Sequence, residues 1–585
     1  MSPADWIVII LLLLVSLALG LWFSKRSGNA GMVGYFAAGR KLPWWAIGLS
    51  NTATYQSGAG GFIMLILTFG LVGNWLWWTS WIIWMPLVAL IWAPMWRRMK
   101  ITTTAELITL RYGGKPAQIA RKFYAAMSCF GFAVLLMGYI TGFFVKTLAP
   151  IIEVSEFQVL LVLGGVTVLY SMFGGLSGVV YVDVLQFVFL ILGSFLFLTF
   201  ALPQAGGLEE VISKIQHAQP EALKTVPPAA TFPLPLFLIL IVQGFFFAGS
   251  PTAGEGSTAQ RFMAARSDRE AMKGQLFNTF LALSLRMIPL IGIGLIALSM
   301  FTLGGNDAAS VTDHRQLLDD PVHAWGMVVN MTRLPAGLKG LLVAIEVAAY
   351  LSTLSTLINW GSSFVVNDLL PKKILRTNHN QLIVSRLTTL FLFLAAGLVS
   401  VLFVDDMVSW FLFINSAMVI FLLPLSWFRF FWWRFNVWGE LAAIVLGLPL
   451  SIWIWFIMDY QHKSLWQGLA ILFGISFMVL IITALVTPPE KKETLELFYE
   501  RCRPPGWWRP VKNRKNGEES PVTMPNQILT KSFLGIGSSL GLVLLTNTLF
   551  TGPLWLMIIG GLAALVLGIL LIRLLNPSTS KQLNN

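Results

Sequence analysis

The residues best placed to do chemistry in this chain lie on one stretch, Ala348-Ala349-Tyr350-Leu351-Ser352-Thr353-Leu354-Ser355-Thr356-Leu357-Ile358-Asn359, inside a long apolar segment. At 100° per residue, Ser352, Ser355, Thr356 and Asn359 share one face of a helix. That face offers several neutral oxygens and no positive charge, a donor set suited to a hard, weakly held cation such as Na⁺. Ser and Thr also line ordinary helix–helix contacts in membranes, where they let helices approach and hydrogen-bond across. Both readings fit the stretch taken alone.

The elements that must position it are membrane helices. Of 585 residues, 56% are hydrophobic and 11% charged, with a mean hydropathy of +0.74, whereas a soluble domain carries about 25% charge. Apolar runs long enough to cross a bilayer recur along nearly the whole length. The net charge of +13 is explained by basic loops on one membrane side, so a nucleic-acid partner is not expected. Cys129 and Cys502 stand far apart, and the five His residues form no metal or haem spacing. With no H-E-x-x-H motif either, an enzyme is not expected.

Along the chain, an uncleaved first helix (Trp6 to Phe23, within residues 1–30) ends in Ser24-Lys25-Arg26, which sets the N-terminus outside. A second hydrophobic segment is interrupted by Ser50-Asn51-Thr52-Ala53-Thr54-Tyr55-Gln56-Ser57-Gly58-Ala59-Gly60-Gly61. Polar residues and glycines at mid-depth predict a broken helix lining an enclosed cavity. Helices follow at about 75–96, 123–148, 156–173 and 177–202, the last carrying Asp183. The Trp75, Trp77 and Trp78 cluster reads as an interfacial belt. Residues 203–231 read as an external loop with an amphipathic piece near Glu209 to Ile215.

A second interruption, Ala248-Gly249-Ser250-Pro251-Thr252-Ala253-Gly254-Glu255-Gly256-Ser257, breaks the helix starting at Phe232. The run Gln260 to Glu270 after it is expected in the cytoplasm with its charges in water. Further helices are predicted at about 274–303, 337–367, 381–404, 407–428, 437–458 and 466–487. A charged cytoplasmic linker, 488–531, leads to a helical hairpin within 532–585 and a cytoplasmic C-terminus. The expected total is about 15 helices.

The two broken helices each open a run of about five, spanning about 43–202 and 232–428. An odd-numbered unit repeated in tandem is inverted in the membrane, and paired interrupted helices point to a midplane binding site in a secondary transporter. Three further charges lie at membrane depth: Glu255, Arg286 and Glu346. Buried ionisable groups are functional or paired, and an internal ion pair of Arg286 with Glu255 or Glu346 is the favoured expectation. A free Arg286 would instead point to an organic anion.

Four motifs in order carry a family resemblance: Phe36-Ala37-Ala38-Gly39-Arg40; Gly174-Gly175-Leu176-Ser177-Gly178 leading through Val179-Val180-Tyr181-Val182-Asp183 to Gln186; Gln260-Arg261 with the Ala-Ala-Arg-Ser run; and Ala348 to Thr356. Together they resemble the sodium/solute symporter family, whose relatives include bacterial sodium/sugar, sodium/proline and sodium/sialic acid symporters. The resemblance spans about residues 5–487. It implies an all-α polytopic membrane protein with a LeuT-like inverted repeat of five plus five helices in a core of 36–430. One helix precedes that core, and C-terminal helices follow it, the first two within 437–487.

Carried over residue by residue, the family's shared sodium site falls on Leu49, Thr52, Ala349, Ser352 and Thr353. A second sodium position found in some members falls on Asp183, Ser352, Ser355 and Thr356, so one Na⁺, with a place for a second, is expected. Candidate solute-binding residues are Asn51, Thr54, Tyr55, Gln56 and Ser57 on the first broken helix and Ser250, Thr252 and Glu255 on the second. Gln56 falls on a sugar-binding glutamine of sugar-transporting relatives, but Glu255 replaces their asparagine and Leu285 their lysine. Proline-type relatives carry aspartate where Asn51 stands.

The function expected is uptake of a small organic solute coupled to inward Na⁺ movement by alternating access, in the cytoplasmic membrane of a bacterium. A solute-sensing transceptor or a Na⁺-independent uniporter or channel on the same fold is the alternative. Apart from the solute and membrane lipid, no obligate protein partner is evident.

Overall fold

The computed structural model describes the chain apart from residues 28–30, 55–58, 153–155, 226–232, 251–254, 302–319, 372–377, 404–406, 512–524 and 576–585. The described residues form helices and no sheet, and twelve helices are long and apolar enough to cross a membrane. The two interrupted helices are additional to these twelve. So is the first arm of Glu156–Gln204, a helix of 49 residues that would be about 73 Å long if straight. It turns at Gly175, whose φ of 54° and ψ of −175° suit a residue without Cβ. Fifteen crossings result, matching the expected total.

The first run comprises Trp44–Thr54 with Gly60–Phe69, then Leu71–Met99, Gly114–Leu148 and the two arms of Glu156–Gln204. The second repeats that order with Leu234–Phe246 and Ser257–Met263, Asp268–Phe301, Leu338–Leu369, Asn378–Phe403 and Met407–Phe431. Each run opens on a helix that stops and restarts. The arrangement packs tightly where glycines face: a Cβ on Gly48 would stand 2.9 Å from the carbonyl oxygen of Gly274, so Trp44–Thr54 and Asp268–Leu283 lie backbone to backbone.

The N-terminal helix Pro3–Ser27 is part of this body. Its buried Asp5 carboxylate accepts from the backbone N–H groups of Gly337 (3.0 Å) and Gly340 (2.8 Å), capping the start of Leu338–Phe364.

Two expectations about charged segments need correcting. The run after the second interruption does not lie wholly in water: Gln260 and Arg261 are buried in the helix Ser257–Met263. The membrane interior offers Arg261 an acidic partner, described below. The linker after residue 488 is also docked rather than free. Leu495 and Phe498 of the helix Lys492–Cys502 are buried, and the buried Trp508 donates its indole N–H to the Phe430 carbonyl at 2.9 Å. The Arg111 guanidinium lies over the rings of Trp508 and Phe498 (5.0 and 5.4 Å). Glu490 accepts from the backbone N–H groups of Gly113 and Val437, tying this segment to the ends of two membrane helices.

Candidate ion and solute site

The hydroxyl-lined face of Leu338–Phe364 is buried throughout. Ser352 Oγ donates to Asp183 Oδ1 at 2.6 Å, and Ser50 Oγ donates to Asp183 Oδ2 at 2.5 Å. The same Asp183 oxygen pairs with the Arg261 guanidinium at 3.0 Å, and both side chains are fully buried. Arg261 also donates to Ser50 Oγ (2.6 Å), Thr54 Oγ1 (2.7 Å), Thr356 Oγ1 (2.8 Å) and the Ser257 carbonyl (3.3 Å). Gln260 Nε2 donates to Asn359 Oδ1 at 3.0 Å, one turn further along the same face.

The face therefore does hold a cation, and that cation is the guanidinium of Arg261. This changes the reading of the second sodium position on Asp183, Ser352, Ser355 and Thr356. Asp183 and Thr356 already serve Arg261, and Ser355 Oγ donates to the carbonyl of Ser352 in its own helix (3.1 Å). A Na⁺ there would share the Asp183 carboxylate with the Arg261 guanidinium.

The residues of the shared sodium site flank this network. Thr353 Oγ1 lies 3.0 Å from the Ala349 carbonyl and 3.2 Å from the Thr54 carbonyl, where the two helices meet. Asn51 to Thr54 are the last four residues of the helix Trp44–Thr54, and all four are buried. Thr52 belongs to this set, and its hydroxyl lies 2.8 Å from the Gly48 carbonyl and 2.9 Å from Asn278 Oδ1. Leu49 sits one turn earlier, inside the helical ladder.

The proposed solute residues divide. Tyr55, Gln56, Ser57 and Thr252 lie outside the described residues. Asn51 is buried, and neither its amide nitrogen nor its oxygen has a hydrogen-bond partner. Ser250 is buried at the second interruption. Thr54 and Glu255 are engaged elsewhere, Thr54 by Arg261 as above. Both oxygens of Glu255 accept from Arg429 Nη1 (3.0 and 2.8 Å), and Arg429 also donates to Glu440, which accepts in turn from the Tyr112 hydroxyl at 2.9 Å. Glu255 is thus one of the two acids in a buried acid–Arg–acid triad.

Nothing in the spacing announces Arg429, which follows an apolar run and lies 174 residues from Glu255. The signal available was its charge beside buried helices, and an intramembrane Glu needs such a partner.

The expected pair between Arg286 and Glu255 or Glu346 is absent. Glu255 already has Arg429, while Glu346, buried, accepts from the Ala59 backbone N–H at 2.9 Å. Arg286 lies in the break Ser284 to Arg286, between the helices Asp268–Leu283 and Met287–Phe301. Its guanidinium is buried over the rings of Phe62 (4.9 Å) and Trp81 (5.6 Å), and none of its three nitrogens has a hydrogen-bond acceptor.

One indole away lies a small cavity of about 20 Å³ that sequence reasoning missed, lined by Trp77, Ser80, Trp81, Gln243, Phe411 and Asn415 among others. Trp77 is buried and stacks on Phe62 (5.5 Å, 25° between planes), so it is a cavity wall rather than interfacial belt. Gln243 Nε2 donates to the Asn415 carbonyl at 2.9 Å, leaving its own oxygen unpaired.

The comparisons with known proteins agree with this architecture. Residues 35–447 match the profile of the Sodium:solute symporter family. The chain is 27% identical over 499 residues to sodium/myo-inositol cotransporter 2 of Rattus norvegicus, covering 79% of this chain and 71% of the relative. It is 25% identical over 511 residues to sodium/glucose cotransporter 4 of Danio rerio, covering 79% and 73%. A solved Na⁺-coupled sialic acid symporter, in a substrate-bound outward-open state, superposes with a TM-score of 0.66 over 84% of this chain and 99% of that one, at 21% identity. These proteins are transporters, and the last shares the fold described above. The chain belongs to the sodium:solute symporter family, as an integral membrane protein that couples solute uptake to Na⁺.

Proposed function

We propose that the protein carries one Na⁺ per cycle with a small organic solute, by alternating access of a cavity between its two interrupted helices. The observation that carries this reading is the convergence of oxygens where the helices meet: Thr353 Oγ1, the Ala349 carbonyl and the Thr54 carbonyl within 3.2 Å of that hydroxyl. The Thr54 carbonyl, on the last residue of Trp44–Thr54, adds the partial negative charge that a helix C-terminus presents to a cation. The ion site is accordingly assigned to Thr52, Ala349 and Thr353, with Leu49 behind them and Ser352 linking them to Asp183. The Arg261–Asp183 pair supplies a fixed cation where a second Na⁺ would otherwise sit.

The solute is assigned to the same region, with Asn51 and Ser250 on the interrupted helices. Relatives carry inositol and glucose by name. In this chain Glu255 is committed to Arg429 and Leu285 stands where sugar-transporting relatives have lysine, which favours a different solute. The N-terminus is placed outside and the C-terminus in the cytoplasm, as the basic helix ends suggest.

Thr353→Ala tests the ion site. It removes one oxygen ligand and is expected to raise the Na⁺ concentration for half-maximal uptake in proteoliposomes at least about tenfold, the loss of roughly one charge-assisted contact. Na⁺ dependence identical to that of the parent protein would overturn the assignment and favour a uniporter or sensor.

A further inference from the structure

We propose that Arg286 is the anchor for a carboxylate, so that the transported solute is a small organic anion. This rests on the symporter reading and adds the substrate's chemical class. Arg286 is 1% exposed, and its Nε, Nη1 and Nη2 are all buried without an acceptor. A guanidinium carries five N–H donors in one plane, and aromatic faces above or below that plane leave them unused. Among the described residues, every other fully buried arginine has acceptors: Arg111 donates to carbonyls, Arg261 reaches Asp183, and Arg429 reaches Glu255 and Glu440. Among the described residues no carboxylate pairs with Arg286. A bare charge at membrane depth is costly, and it persists where it serves a ligand or pathway.

What faces this guanidinium decides the ligand. Phe62 and Trp81 lie on it, Trp77 stacks on Phe62, and Trp77 packs against Phe411 with centroids 4.4 Å apart. Trp77, Trp81 and Phe411 are also walls of the small cavity of about 20 Å³, so Arg286 stands one indole away from it. Broad aromatic walls suit an organic body rather than a bare inorganic ion. The unpaired Gln243 oxygen and the Ser80 hydroxyl offer hydrogen bonds to that body. The Arg286 fork matches the two oxygens of a carboxylate. Phe62 belongs to the second half of the first interrupted helix, three residues beyond Ala59, where Glu346 is bonded. The anion anchor is thereby joined to the helix that bears the ion site.

The test uses the purified full-length protein in detergent, its unfolding temperature read with a thiol-reactive dye. Carboxylates of two to ten carbons, each paired with its uncharged methyl ester or amide, are screened in NaCl and in choline chloride. Carboxylates alone are expected to raise the unfolding temperature, and only in Na⁺. Arg286→Gln is expected to weaken the best carboxylate about tenfold to a hundredfold, and Arg286→Lys less, because charge remains without the fork. The rise produced by Na⁺ alone is expected to persist in Arg286→Gln, which shows that this variant is folded. Stabilisation by uncharged solutes only, by no carboxylate at all, or equally in Arg286→Gln would overturn the assignment. Loss of the Na⁺ effect in Thr353→Ala reports on the ion site separately, so the two readings can fail independently.

Discussion

Arg261→Ala removes the fixed cation from Asp183 and leaves its hydroxyl partners in place. In the parent protein Asp183 accepts from Ser50 at 2.5 Å and Ser352 at 2.6 Å, while Thr54 and Thr356 turn their oxygens to the guanidinium. Breaking a buried pair from one side costs about 3–5 kcal/mol, because the remaining charge is stranded. Here the stranded charge is a carboxylate bonded by two hydroxyls, with two more released by the lost guanidinium, an all-oxygen set that suits Na⁺. If Na⁺ enters at a hundred times its dissociation constant, it restores about 2.7 kcal/mol. The variant should therefore show the whole of this loss in choline chloride and recover about half to nine-tenths of it in NaCl. Its uptake should also depend more steeply on Na⁺, with a Hill coefficient moving from one toward two. Cys129 and Cys502 are both buried, so a thiol-reactive dye reports the unfolding directly. An equal loss in both salts, with an unchanged Hill coefficient, would show that Arg261 does not occupy a cation position in the sense argued above.

Two other outcomes follow from the buried charges and thiols. Arg429→Met strands both Glu255 and Glu440 and should cost about 3–5 kcal/mol or more. Glu255→Gln leaves one neutral Arg429–Glu440 pair and should cost clearly less; the reverse order in thermal unfolding would refute the triad. In the folded protein, burial pushes the Cys502 thiol up to about 12. With Cys129 also fully enclosed, neither should react with a maleimide at neutral pH until the protein unfolds, as mass spectrometry after timed labelling would reveal.

Much of the fold was legible because a bilayer constrains sequence harshly. A crossing needs about 20 apolar residues, and backbone polarity at mid-depth is tolerated only around an enclosed cavity. The glycine-rich interruptions near residues 55 and 251 could therefore be located without any structure. How the linker docks was not legible, because a charged stretch can still bury a few anchors, as Phe498 and Trp508 do. The Trp77 side chain was assigned to the interface because hydropathy reports depth and says nothing of which neighbour a ring meets.

The hydroxyl face at Ser352 to Asn359 and the placing of Asp183, Arg286 and Glu346 at membrane depth were determined by the sequence itself, since helical periodicity and membrane depth are local properties. Their partners were decided by tertiary structure alone. Arg261 reaches Asp183 across 78 residues and Thr356 across 95, Arg429 reaches Glu255 across 174, and Arg286 reaches no acid among the described residues. In a helical bundle the partner of a buried charge is set by which helices cross and at what height. That crossing geometry depends on side-chain packing summed over several helices, so spacing along the chain does not encode it.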